Sequence, residues 1–345
     1  MVQGSKTQKI VLDSQGSYLG MEKGCFTVKD REGNVQRFPL FENTLGSVVL
    51  KSGNAVSTGA LASLGFWDID VLIMTQRGNP VAMLRSLDDS SHVETRIAQY
   101  ESLKNVKFSE IAKQFVLSKI EAQNQVLSKY GLRRLDYSHI EQVKGLKETD
   151  SRTLRNRLTT IESHCSRLYF DQIFQMFNEP LRPDGRNGFK AYDGINNLFN
   201  LAYEVLSWKV HIALVRARLE PFMGYLHSLA WSKPSLVCDF QELYRYLMDD
   251  YVIQYARGLK AKDFTLKTED FSSKKKGKRE YLSDFKTRDF MKSLNEYFLS
   301  EVKIPRYRMG KKQELETLIS EEAMLFAKYL RNERQTWIPR IPSLA

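Results

Sequence analysis

The chain is 345 residues long, with 42% hydrophobic and 11% aromatic residues, which excludes a disordered polymer and suits two ordinary domains. Charged residues make up 27% and no apolar run approaches 18 residues, which excludes a membrane span at the level of sequence. The 52 Lys and Arg against 41 Asp and Glu give a net +11, and residues 1–90 carry nine of each sign, so the whole excess lies in residues 91–345. A segregated basic surface suits a polyanion, because each neutralised phosphate releases counterions, although solubility alone is served by the same charge.

In chain order, Ile10–Leu12, Tyr18–Met21 and Cys25–Val28 are short apolar runs separated by Gly16 and Gly24 and read as strands. Asp30-Arg31-Glu32-Gly33-Asn34 is a hairpin turn signal. Gly46–Leu50 and Val71–Met74 are further strands, with a short helix expected between them over Val56–Leu64. From Ser90 onward the period changes from two to about three and a half. Ser91 is placed to cap a helix with Ile97, Tyr100 and Leu103 on one stripe, and Ile111, Phe115, Leu117, Ile120 and Val126 continue in a second. Leu154, Leu158, Ile161, Cys165 and Leu168 are spaced as one face of an amphipathic helix. Asp193 stands where an N-cap belongs, ahead of a helix running to about Arg218, and Pro234-Ser235 opens a helix carrying Leu236, Phe240, Leu243 and Leu247. The fold class is therefore α+β, with a small β-rich domain over 1–88 and a larger all-α domain over 89–345. Ser272-Ser273 followed by Lys274, Lys275, Lys276, Gly277, Lys278 and Arg279 reads as an exposed loop, its charges either solvated or facing phosphates.

Cys25, Cys165 and Cys238 make neither a disulfide framework nor a cysteine zinc site, and Met1–Lys6 has no apolar signal core, so a soluble cytoplasmic protein is expected. No HExxH, Gly-rich phosphate loop or GxSxG occurs, which removes zincin, P-loop and α/β-hydrolase readings. The loop Asp184-Gly185-Arg186-Asn187-Gly188 follows no strand and is read simply as a loop. More informative are polar residues set in apolar helices. Glu162 borders the stripe of the Leu154 helix, and Asp239 and Glu242, three apart, share one helix face. His227 closes Pro221-Phe222-Met223-Gly224-Tyr225-Leu226-His227, where Pro and Gly break a helix and can aim an imidazole inward. Two or three carboxylates with one imidazole suit Mg²⁺ or Mn²⁺ better than zinc. The same residues also fit surface acids with packed stems and a hydrogen-bonded core histidine, and no local spacing rule joins the three positions.

Four blocks resemble a known family. Ile161–Phe170 resembles the "IEG…YF" block of the CRISPR-associated integrases that capture new spacers, the universal first Cas protein family. Tyr192–Leu198, running into Ala202-Tyr203, is similar to its "DPxNxLL…GY" block. Ala213–His227 is similar to "AL…GLDPxxGxLH", and Ser235–Arg245 resembles "SLxxDxxExxR". The resemblance implies a β domain joined to an α-helical catalytic domain and a homodimer formed through the β domain. It further implies a dimer of a small ferredoxin-like partner, double-stranded and branched DNA as ligands, and metal-dependent cutting and joining of DNA. It assigns the metal to Glu162, His227 and Glu242, with Asp239 alongside as a catalytic residue. Asn196 and Tyr203 become candidate DNA contacts, as do Lys274, Lys275, Lys276, Lys278 and Arg279. Four positions depart from the pattern: Ser163 for Gly, Gly194 for Pro, Arg218 for Gly and Glu220 for Asp. Two other readings stay open, a branched-DNA nuclease of repair and a non-catalytic basic scaffold. The scaffold reading expects Glu162, His227 and Glu242 either far apart or paired with Lys and Arg.

Overall fold

The computed structural model describes residues 8–40, 45–76, 80–86, 93–147, 150–188, 191–228, 233–272, 275–304 and 312–344. The chain divides into two compact units, Met1–Ser91 and His92–Ala345. It is α+β, with β-sheets first and a mostly helical region after them.

The N-terminal unit holds two four-stranded sheets. One is ordered β1 (Gln8–Leu12), β5 (Leu45–Lys51), β7 (Asp70–Met74), β8 (Pro80–Leu84); the first three run parallel and β8 is antiparallel. The other is ordered β4 (Val35–Pro39), β3 (Cys25–Lys29), β2 (Tyr18–Glu22), β6 (Ala55–Val56). The Asp30–Asn34 signal is the β3–β4 turn, closed by the Asp30 carboxylate accepting from the Asn34 backbone and side chain. Helix α1 (Thr58–Phe66) is capped by Ser57, whose hydroxyl accepts from Ala60 N. Ile10, Leu12, Leu19, Phe26, Val48, Leu64 and Val71 form the core of this unit.

The C-terminal unit is built on α2 (Val93–Ser102), α3 (Val106–Lys129), α4 (Tyr137–Gly145), α5 (Ser151–Phe174), α6 (Gly194–Arg216), α7 (Ser235–Gln241) and α8 (Arg245–Ala256). A hairpin of β9 (Phe264–Ser272) and β10 (Lys275–Leu282) follows, then α9 (Asp284–Phe298), the short pair β11 (Glu301–Lys303) and β12 (Lys312–Glu314), and α10 (Leu315–Leu330). The helix starts are set by side chains: Asn105, Asp136, Asp150 and Asp193 each accept a backbone N–H in the first turn of α3, α4, α5 and α6. Phe115 meets Phe240 and Trp337 edge-on in the core, and Phe326 packs against Phe115 and Trp337 at tilted angles. Helix α6 is apolar enough by length and composition to cross a membrane, but half of that stretch is buried in the unit.

Three expectations need correction. The buried face of α2 is Thr95, Gln99 and Ser102, while Ile97 and Tyr100 are exposed, because α2 uses polar atoms to hold a turn described below. The helix expected from Pro234 through Leu247 is two helices, α7 and α8, joined at Glu242–Tyr244. Lys275–Arg279 do not form a loop; they lie in strand β10, antiparallel to β9, with Lys278 exposed and Arg279 buried beside the Tyr192 ring. The run of positive charge hid a strand, because pairing with β9 is made by the backbone. Lys274 and Ser91 lie outside the described residues, as do the side chains of Lys275 and Lys276.

The hairpin is fastened to the start of α6. Glu280 N donates to Tyr192 O, Asn197 Nδ2 donates to Glu280 O, and Gly194 N donates to the Glu280 carboxylate at 2.9 Å. A Cβ on Gly194 would enter the Phe264 ring, so this glycine is required by close approach and not by backbone conformation. That accounts for the departure from proline at this position. Arg218 has φ 64, the left-handed region that favours glycine, which explains why glycine suits that position and what arginine strains there.

Candidate active site

The His227 segment is held from three sides. Asp239, fully buried on α7, accepts from three successive backbone N–H groups, Tyr225, Leu226 and His227, at 2.5, 3.0 and 2.9 Å. Arg155 of α5 donates to the carbonyls of Gly224 and Tyr225 while stacking on Phe108. Gln99 of α2 donates to the carbonyls of Glu220 and Met223 and accepts from Glu220 N. Gly224 fits beneath because it lacks a side chain: a Cβ there would lie 2.7 Å from Asp239 Oδ2.

His227 itself faces Asp239, with Nδ1 2.7 Å from Oδ1. A carboxylate at that distance places the proton on Nδ1 and leaves the Nε2 lone pair available. Asp239 is thus a positioning group, bound to the turn and to the imidazole at once.

Glu242 follows α7 and is 3% exposed; Glu162, on α5, borders the same space. Between them stands a residue that the sequence reading did not single out. The ammonium of Lys119, from α3, contacts Glu162 Oε1 and lies 2.7 Å from Glu242 Oε2. Arg245 donates to Glu242 Oε1 at 2.6 Å and stacks on the Tyr203 ring at 4.6 Å. Burial by itself would raise the Glu242 carboxyl, but Arg245, Lys119 and His227 overcome it and hold it at about 2. Burial likewise disfavours the Lys119 ammonium, and Glu242 and Glu162 more than restore it. Ser166 donates to Glu162 Oε1 at 2.9 Å. Among the described residues, no three His, Cys, Asp or Glu side chains already form a metal cage. The pairing with Lys119 and Arg245 is the arrangement that the scaffold reading expects.

These groups open onto a cavity of about 770 Å³. Its lining includes four basic residues, Lys119, Arg167, Arg186 and Arg245, and five acidic ones, Glu162, Asp171, Glu204, Glu242 and Asp249. Arg186 comes from the loop read as featureless. It sits over the rings of Phe170, Phe199 and Tyr203 and donates to the side-chain oxygens of Asn196 and Asn200. Asn196 is fully buried and spends its amide on Gly185 O, Asp193, Arg186 and Asn187 N. It therefore holds the Arg186 loop and presents no atom for DNA, unlike the expected direct contact. Tyr203 lines the cavity, with its hydroxyl bound to Asp249, which Tyr169 also reaches at 2.9 Å. Burial pushes the Asp249 carboxyl up to about 6, against the two tyrosine hydroxyls.

Glu162, from α5, and Glu242, just after α7, thus meet at Lys119, and the Asp239–His227 pair lies within electrostatic reach of Glu242. Lys278 and Arg279, the basic residues of β10 with described side chains, are not in the lining of this cavity. One signal for Lys119 was available in the sequence: it falls on the stripe Ile111, Phe115, Ala122, Val126, where a lysine has to meet anions.

A two-sheet N-terminal unit ahead of a mostly helical unit is an α+β architecture with its acid cluster in the second unit. Residues 10–287 match the family described as CRISPR associated protein Cas1. The chain belongs to the Cas1 family. It is 28% identical over 270 residues to a protein of Korarchaeum cryptofilum named CRISPR-associated endonuclease Cas1, covering 72% of this chain and 78% of that one. Among solved structures it is similar to a casposase bound to integration product, with a TM-score of 0.72, 19% identity and coverage of 98% and 95% of the two chains. It is similar also to a chain of a partial Cas6-RT-Cas1–Cas2 complex, with a TM-score of 0.70, 20% identity and coverage of 99% and 100%.

Proposed function

We propose that this Cas1-family chain is a metal-dependent DNA endonuclease and integrase of CRISPR adaptation. It joins the 3′-hydroxyl ends of short duplexes to the CRISPR array by transesterification. The observation that carries the reading is that Glu162 and Glu242 face one cation, beside an imidazole whose tautomer Asp239 fixes. Buried Glu242 Oε2 has the Lys119 ammonium 2.7 Å away, so a cation already occupies the place where carboxylate oxygens and an imidazole nitrogen would suit a hard divalent ion. Glu162, Glu242 and His227 Nε2 would hold Mg²⁺ or Mn²⁺, which when bound supplies Lewis-acid activation of a phosphodiester.

The chain's own residues do the rest. Asp239 orients the imidazole, and Arg245 neutralises the outer oxygen of Glu242. Arg167 and Arg186, on the cavity wall, position phosphates without reading bases. Attacking and leaving oxygens both belong to DNA, so one phosphodiester replaces another and no external energy source is needed. With water as the attacking group the same site would nick. Lys278, exposed on β10, extends the basic surface, whereas buried Arg279 serves the fold. The casposase with its integration product and the Cas1–Cas2 assembly support DNA and a Cas2-type partner as ligands. Exposed Phe66 and Trp67 supply apolar surface on the β-rich unit for a homodimer.

The test is a labelled duplex with free 3′-hydroxyls, incubated with Mn²⁺ and an array fragment. Joined products are expected, with Glu162→Ala, His227→Ala and Glu242→Ala each abolishing cutting and joining while DNA binding persists. Activity retained in any two of these variants defeats the assignment. The pairing of both glutamates with Lys119 and Arg245 favours the scaffold as the second reading. Nucleic-acid binding with no metal-dependent product would establish it.

A further inference from the structure

Glu162 and Glu242 carry two negative charges, and Lys119 and Arg245 two positive ones, all within contact distance. The cluster is already neutral, so a divalent ion entering between the carboxylates must release one of these cations. Arg245 is held on the outer oxygen of Glu242 and against the Tyr203 ring. Lys119 instead has its ammonium between the two carboxylates, on a flexible stem that borders the cavity.

We propose that Lys119 is the site's internal cation: it holds Glu162 and Glu242 together until a divalent ion displaces it, and its freed ammonium then turns into the cavity to bind a phosphate of the nucleic acid. The inference rests on the metal-dependent reading above. Charge supports the destination. The cavity wall has one more acidic than basic residue, and a bound divalent ion reverses that balance to net positive. A phosphodiester is therefore repelled before the ion arrives and attracted after, so metal binding precedes DNA engagement in this cavity. A lysine on the core stripe of α3, 8% exposed, is otherwise a costly way to fill space.

Lys119→Met keeps the length of the side chain and removes its charge. In the full chain without DNA, Mn²⁺ binding is followed by the loss of the free-ion electron paramagnetic resonance signal. Lys119→Met is expected to bind Mn²⁺ at least about tenfold more tightly than the wild type, having no cation to expel. At saturating Mn²⁺ it is nevertheless expected to process DNA with a raised KM, having lost the phosphate ligand. A purely structural lysine would weaken both. Should Lys119→Met not fold without metal, Lys119→Arg retains the charge and grips the carboxylates with a fork, so its Mn²⁺ affinity should fall. Unchanged or weakened Mn²⁺ binding in folded Lys119→Met, or unchanged or tighter binding in Lys119→Arg, overturns the proposal while the metal site stands, provided Glu242→Gln abolishes binding. Equal Mn²⁺ binding by wild type and Glu242→Gln overturns the metal reading itself, and this proposal with it.

Discussion

Proline at the first position of a helix ordinarily helps, since its φ suits the turn and its missing N–H is one that a helix leaves unbonded. At position 194 the opposite is expected. The Gly194 N–H is bonded to Glu280 at 2.9 Å, and any Cβ would enter the Phe264 ring and lie 3.0 Å from Glu280 Oε2. Forcing a ring into packed space costs about 1–3 kcal/mol. Losing a hydrogen bond to a carboxylate costs about 1.5–3 kcal/mol, reduced here because Glu280 keeps some access to water. Against these stands a gain of about 0.4–1 kcal/mol from stiffening the unfolded chain. The net for Gly194→Pro is a loss of about 2–4 kcal/mol, which for a unit of this size lowers Tm by roughly 5–15 °C. Differential scanning calorimetry of the full chain measures it. Gly194→Ala, which keeps the N–H, should lose less, and adding Phe264→Ala to Gly194→Pro should recover the steric part. A Gly194→Pro variant as stable as the wild type, or more so, would refute the close packing of hairpin on helix.

Other outcomes follow from the site. Asp239→Asn keeps one acceptor oxygen where two serve four donors, so stability should drop by about 2–4 kcal/mol. The His227 tautomer, read by ¹⁵N NMR, should cease to be uniquely Nδ1–H. Gly224→Ala presses on the same carboxylate and should reproduce both effects. Glu242, held at about 2 against an ordinary 4.5, contributes about 3 kcal/mol that is fully present above pH 4.5 and lost as pH falls through 2. The stability gap between wild type and Glu242→Gln should therefore narrow across that window. Asp249 behaves oppositely: raised to about 6 from 3.8, its ionisation disfavours the fold above pH 6. Asp249→Asn should be more stable than the wild type at pH 8, by up to about 3 kcal/mol, with the advantage gone near pH 4.

The strands of the first unit were legible because turn residues such as Asp30–Asn34 and alternating apolar runs punctuate them. The Asp193 cap and the α5 stripe were legible for the same local reason. Period alone misled at α2, where Gln99 and Ser102 are buried for the sake of the Glu220–Tyr225 turn, a contact more than a hundred residues away in sequence. Charge density misled at β10, where consecutive basic residues concealed a strand paired with β9. Glu162, His227 and Glu242 could be named from block resemblance and from their apolar surroundings. Lys119 stood out only as a lysine on a core stripe; which anions it meets was not legible, because it lies 43 residues before Glu162 and only the packing of α3 on α5 makes them neighbours. Arg186 was hidden similarly, since its loop acquires a role only through Asn196 and Asn200.

The Asp239 carboxylate binds three consecutive amides and the imidazole while sharing α7 with the approach to Glu242. Helix α5 is tied to the same turn, because Arg155 holds the Gly224 and Tyr225 carbonyls, so Glu162 and His227 share one frame. A force that moved α5 would therefore pull on the His227 turn through Arg155. Sensitivity to distant substitutions should accordingly reach His227 through Gln99 on α2 and Arg155 on α5 as well as through Asp239.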